Sequence, residues 1–178
     1  MTASRFVEQL NEQIGNEFAA HQQYVACAIH YDALTMPQMA AFFYGQALEE
    51  RDHAMMMVKF LLDTDAEVLI PGVGAPETKF ADVVAPVELA LAQEKRVSQQ
   101  VFALTKTARE ENDFAAEQFM QWFIKEQVEE VATMTELLEV AERVRDLPMT
   151  LEEFIAREKP GGGGSPDPVA PEAAGGHL

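Results

Sequence analysis

The chain has 178 residues and a mass of 19.7 kDa, enough for one domain with a sizeable core. Against 30 Asp and Glu it sets 13 Lys and Arg, a net charge of −17; no basic patch stands out, which argues against nucleic acid as a partner and suits cationic ligands. The single cysteine, Cys27, excludes an intramolecular disulfide, a four-cysteine metal site and a CxxC redox pair.

The first clean run, from Arg5 to Tyr31, has no proline and one glycine, Gly15. Phe6, Leu10, Gln13, Glu17, His21, Tyr24, Ala28 and Tyr31 recur at steps of three or four, one face of an amphipathic helix. The second run, from Gln38 to Asp65, repeats the pattern at Phe43, Ala47, Glu50, Ala54, Met57 and Leu61, and Pro37 suits its first turn. AEVLIPGVGAPETKF then breaks the periodicity with prolines and glycines. The third helix is expected from Val87 to Glu111, with Val87, Ala90, Glu94, Val97, Val101, Leu104 and Ala108 in phase. The fourth is expected from Phe114 to Leu147, with Met120, Phe123, Gln127, Glu130, Met134, Leu137 and Ala141 on its stripe. Asn112 and Asp113 can cap it, with Glu117 in its first turns and Pro148 as its stop. Thr150 and Glu153 form a capping box for a short fifth helix, about Leu151 to Arg157, which exposes Leu151, Phe154 and Ile155 and must pack on something.

Period-two alternation is absent, so the fold class is all-α. The short first and third links make antiparallel helix hairpins. The second link, about 16 residues, reaches roughly 53 Å when extended. That exceeds a bundle of roughly 42 Å built from helices of about 28 residues. The expected architecture is therefore a four-helix bundle with a long crossover between helices two and three, plus the short fifth helix. Residues 1–159 form this domain; residues 160–178, rich in Gly, Pro and Ala, are expected to be a disordered tail. The N-terminal segment lacks a basic region followed by an apolar one, and no stretch suits a membrane span, so a cytoplasmic protein without a membrane partner is expected.

Polar residues interrupt the apolar stripes at one level: Glu17, then Glu50 and His53, then Glu94, then Gln127 and Glu130. The spacing is duplicated. Glu17 to Glu94, Glu50 to Gln127 and His53 to Glu130 are each 77 residues. Each hairpin thus places one Glu on its first helix and a polar-x-x-polar pair on its second. Four carboxylates at one level of a core repel one another and are costly to bury, unless cations sit between them. Carboxylates with one imidazole suit first-row metals, and so carboxylate-rich a pair of sites suits iron or manganese over zinc.

With these residues the chain resembles the bacterial non-haem ferritins, of the actinobacterial type. The resemblance covers about residues 4–158 and is carried by NEF with Glu17, QQY with Tyr24, EERDHAMMM with Glu50 and His53, QEKR with Glu94, and EQFMQWFIKEQVEEV with Gln127 and Glu130. It implies a ferritin-like fold in which Glu17, Glu50 and His53 hold one iron, with Glu50 bridging. Glu94 and Glu130 would hold the second, with Gln127 close by. Glu49, Glu126 and Glu129 match a third iron position toward the inner surface, and Tyr24 matches a tyrosine beside the centre, an electron donor. The implied activity is that of a ferroxidase. Fe2+ is oxidised by O2 or H2O2, and ferric mineral is stored inside a homo-oligomeric cage of 24 subunits, about 470 kDa. Haem-carrying relatives differ: they have Glu-x-x-His in both halves and a methionine after the bridging Glu, where this chain has Gln127-x-x-Glu130 and Arg51. Haem is therefore not expected. Glu110, Asp113 and Glu117 resemble a pore-lining region, and His21 is expected to be packed or hydrogen-bonded and no ligand. The alternative is a di-iron or di-manganese oxidase or peroxidase of the same fold that stores nothing.

Overall fold

A computed structural model describes residues 4–161 and 167–176. Among them are five helices and no strand: α1 (Arg5–Ala33), α2 (Pro37–Asp63), α3 (Ala85–Glu110), α4 (Phe114–Arg143) and α5 (Pro148–Glu158). No described helix is long and apolar enough to cross a membrane. All the stripe residues expected from the sequence are buried except His21, which is half-buried.

Local chemistry sets the ends. Ser4 caps α1 through its hydroxyl, which accepts from Val7 N at 3.2 Å. Asp113 caps α4 by accepting from Ala116 N at 2.9 Å. Pro37 stands in the first turn of α2 as expected. The duplication reaches the turns: Thr35 and Asn112, also 77 apart, both adopt φ 58°. After each, the chain donates back to the preceding helix, Met36 N to Tyr31 O and Asp113 N to Ala108 O, both at 2.9 Å.

The crossover runs beside α1 in the same direction. Asn11 donates to Glu67 O at 2.9 Å and accepts from Leu69 N at 2.6 Å. Gly15 admits Pro71, whose Cγ would lie 2.6 Å from a Cβ added there. Gln23 bonds Glu77 in both directions at 2.9 Å, and the Tyr31 hydroxyl donates to Val83 O at 2.7 Å. The crossover therefore climbs from the start of α1 to its end and leaves α2 and α3 parallel, as expected. It occupies residues 64–84, longer than the sequence suggested, because α2 stops at Asp63 and α3 starts at Ala85.

Two sequence expectations fail at α5. Pro148 opens α5 and does not close α4, which ends at Arg143. Thr150 lies inside the helix, so the Thr150–Glu153 capping box does not form; proline is better suited to the first turn, where no amide is needed. Leu151 and Ile155 are not exposed but lie in the core of their own chain. Glu152 anchors the contact by accepting from Gln38 N and Met39 N, both at 2.8 Å, so α5 supplies the anionic cap that Met36 cannot give α2.

Residues 167–176 also depart from the expected disorder. They lie on the bundle: Ala173 is buried, Ala174 N donates to Met55 O at 3.0 Å, and Asp167 accepts from Trp122. The rest of the expected tail, residues 162–166 and 177–178, lies outside the described residues.

Candidate metal centre

The core is two apolar clusters. One joins Tyr24, Tyr31, Met39, Phe43, Met134 and Leu137. The other joins Phe6, Leu10, Ile14, Met57, Leu61 and Phe123. Between them lies the polar layer. Glu17, Glu50, His53, Glu94, Gln127 and Glu130 are all buried, none more than 6% exposed. Helical periodicity dictates this, since each occupies a position on the stripe that faces the core.

Ligand atoms of Glu17, Glu50 and His53 converge within 4.8 Å of one another. His53 Nδ1 is 3.9 Å from Glu17 Oε2 and 3.7 Å from Glu50 Oε2. Burial lowers the pKa of His53, which favours the neutral ring that a metal needs. Across the layer the Tyr24 hydroxyl donates to Glu94 Oε1, and Gln127 Nε2 donates to Glu94 Oε2 at 3.3 Å. The Ser98 hydroxyl lies 2.9 Å from the Gln127 carbonyl oxygen and donates to it. Burial, reinforced by the charge of Glu94, holds both Glu50 and Glu130 well above the usual carboxylate range. Burial also lifts Glu94 to about 7, with the Tyr24 hydrogen bond pulling the other way.

Three buried carboxylate oxygens, Glu17 Oε2, Glu50 Oε2 and Glu130 Oε2, have no hydrogen-bond partner among the described residues. Such orphans are expensive. Hard oxygen donors aimed into a layer with one neutral imidazole fit divalent first-row cations, and supplying such ions would relieve the repulsion that burial imposes.

Glu49 lies half-buried beside this layer, raised to about 7 by burial and by the Glu126 charge. Burial and the Glu129 charge raise Glu126 in turn. Glu129 itself is exposed and pairs with Lys125 at 3.7 Å. Only Glu49 and Glu126 of this trio are thus drawn toward the interior. His21 is not in the layer; its Nδ1 meets Ala47 O at 2.6 Å, the hydrogen-bonded role expected of it. At the α3–α4 junction Glu110 pairs with Arg5, Glu117 with Arg109, and Asp113 caps its helix.

Sequence reasoning missed the residues that hold the carboxylates. Gln13 donates to Glu17 Oε1 at 2.7 Å, Gln46 donates to Glu49, and Ser98 steadies Gln127. Their signal was available, because Gln13 and Ser98 sit four residues from Glu17 and Glu94 on the same stripes.

The model of the Ferritin-like domain family matches residues 7–144. The chain belongs to the ferritin-like family. It is 49% identical over 175 residues to "Ferritin BfrB" of Mycolicibacterium smegmatis, covering 98% of this chain and 96% of that one. Its identity to "Bacterioferritin BfrB" of Mycobacterium tuberculosis is also 49%, over 178 residues with the same coverage. A "Bacterial non-heme ferritin" of Staphylococcus aureus is 32% identical over 146 residues, 82% of this chain and 88% of that one. Among solved structures, an open-pore ferritin from the archaeon Archaeoglobus fulgidus superposes with a TM-score of 0.82 at 28% identity, over 89% of this chain and 100% of that one. Membership of the family supports iron storage by this ferritin.

Proposed function

We propose that the chain is a non-haem, iron-storing ferritin of the cytoplasm with ferroxidase activity. The observation that carries this reading is the buried layer with its three orphaned carboxylate oxygens, flanked by a neutral imidazole. Two Fe2+ ions are the substrate. Glu17, Glu50 and His53 hold one, Glu94 and Glu130 hold the other with Gln127 beside it, and Glu50 lies between. Each pair gives two electrons to O2 or H2O2, and the ferric product passes to a mineral. The protein supplies hard oxygen donors, brings two ions close together and keeps them from water. Glu94, near 7, and the higher Glu50 and Glu130 release protons as Fe2+ arrives, so binding is pH-linked.

Glu49, Glu126 and Glu129 form a third iron position on the way to the interior. Arg51 after Glu50, and Glu130 where haem-carrying relatives have His, support the reading without haem. The mineral lies inside a cage of 24 chains. Exposed Ile29, Leu48, Leu62, Phe114 and Val128 are apolar surface that such an assembly would cover. Glu110, Asp113 and Glu117 line its iron pores.

Aerobic loading with Fe2+ tests this, followed by size-exclusion chromatography with protein and ferric absorbance recorded together. Hundreds of irons per particle co-eluting near 470 kDa are expected for 24 chains. About two irons per chain on a small oligomer would replace storage with a soluble di-iron oxidase.

A further inference from the structure

His53 is the one imidazole of the site, yet among the described residues neither of its ring nitrogens makes a hydrogen bond. A ligating histidine is usually oriented by a hydrogen bond from its far nitrogen. Here packing takes over that task. Trp122 stands edge-on to the ring at 5.6 Å between centroids and 73°, and Phe123 at 5.7 Å and 74°. Phe123 is fixed by burial in the core. Trp122 is half-buried and needs another restraint.

Asp167 provides it. Its Oδ1 accepts from Val169 N at 3.0 Å, and Ala170 N donates to its carbonyl oxygen at 3.0 Å, so a turn holds the residue from its own side. Its Oδ2 is left for the bundle. It accepts from Trp122 Nε1 at 3.2 Å and from Lys125 Nζ at 3.4 Å. These donors keep the carboxyl below its usual range, so it stays an acceptor at neutral pH. Farther along, Ala173 is buried in the apolar cluster beside the layer. Ala174 N donates to Met55 O, two residues beyond His53 on α2. The segment thus bridges α4 and α2 around His53.

We propose that residues 167–176 are a strap that orients His53 from outside the layer, and that Asp167 is a positioning residue acting through the Trp122 indole. The inference rests on the iron site proposed above and adds a residue far outside its helices.

Trp122 is the only tryptophan, so its emission in the full-length protein reads the indole hydrogen bond. Asp167→Ala is expected to shift that emission. It is also expected to raise the Fe2+ concentration giving half the maximal initial oxidation rate about tenfold, while the rate at saturating Fe2+ stays within about twofold. Asp167→Asn keeps an acceptor for the indole and should restore both. Lys125→Ala removes only the ion pair and should change neither. An unchanged Fe2+ dependence in Asp167→Ala overturns the proposal, as does failure of Asp167→Asn to restore it. Should the parent protein not oxidise Fe2+ at all, the proposed function falls by itself. The strap is then judged on Co2+ affinity, where equal affinity in the parent and Asp167→Ala overturns it.

Discussion

The two hairpins have one backbone plan and unequal chemistry. In the first, Glu17, Glu50 and His53 converge with two carboxylate oxygens unpartnered. In the second, 77 residues on, both Glu94 oxygens are engaged, by Tyr24 and by Gln127, and only Glu130 leaves one free. A duplicated frame therefore gives one half poised for a cation and one half that must give up hydrogen bonds to receive it. Glu50 belongs to both, because its charge couples to Glu17 in its own hairpin and to Glu94 and Glu130 in the other.

The largest expected effect comes from removing that shared residue. Glu50→Ala should slow fast Fe2+ oxidation by well over about tenfold. The same change should raise the melting temperature of the iron-free protein, because it deletes a buried, repelled carboxyl. Stopped-flow absorbance and a thermal scan read the two effects. Parental oxidation rates in Glu50→Ala would remove it from the site.

Next is the difference between the halves. Titration of iron-free protein with Co2+ should show one ion binding before the other. His53→Ala should weaken the first by about 10- to 100-fold. Gln127→Ala should weaken the second by less, since an amide contributes no charge. Two equal classes of site in the parent would mean that the Glu94 hydrogen bonds cost the second ion nothing.

Much of this arrangement was legible because burial and helical periodicity speak together. A Glu at position 17, 50, 94 or 130 breaks a stripe that is otherwise apolar, and the offset of 77 repeats the break. What was not legible involves partners distant in the chain or weak local signals. Glu152 caps α2 across more than a hundred residues, while Pro148 overrides the local capping pattern at Thr150. Residues 167–176 have the composition of a loose tail; they dock through one aspartate, a backbone amide and a small buried alanine, none of which a hydropathy pattern reveals.

The pH dependence of stability sharpens the contrast between the polar layer and the apolar clusters on either side. Burial and neighbouring charge raise Glu50 and Glu130 strongly, and Glu49 and Glu94 to about 7. In the unfolded chain these groups titrate near about 4.3. Their contribution is therefore complete below that value and is lost as pH rises through the folded values. His53 acts oppositely, losing stability below about pH 6.5, but it is one group against four. The melting temperature of iron-free protein should fall from about pH 5 to about pH 8, and a bound divalent cation should flatten the slope. A flat profile without metal would mean that the layer relaxes its repulsion in another way.

The smallest effect isolates the second half. Tyr24→Phe removes the hydroxyl that donates to Glu94. That hydrogen bond lowers the proton affinity of a carboxyl already lifted to about 7. Without it Glu94 is protonated over more of the neutral range, and Fe2+ must displace that proton; against this, one carboxylate oxygen is freed for the ion. At about pH 6.5 the first term dominates, and oxidation should slow a few-fold, the equivalent of about 1 kcal/mol for a lost hydrogen bond. At about pH 8.5 both proteins are ionised and the difference should shrink or reverse. The ratio of initial rates across that range is the measurement. A constant ratio would separate the hydroxyl from the protonation of Glu94 and leave electron donation by Tyr24 as its role.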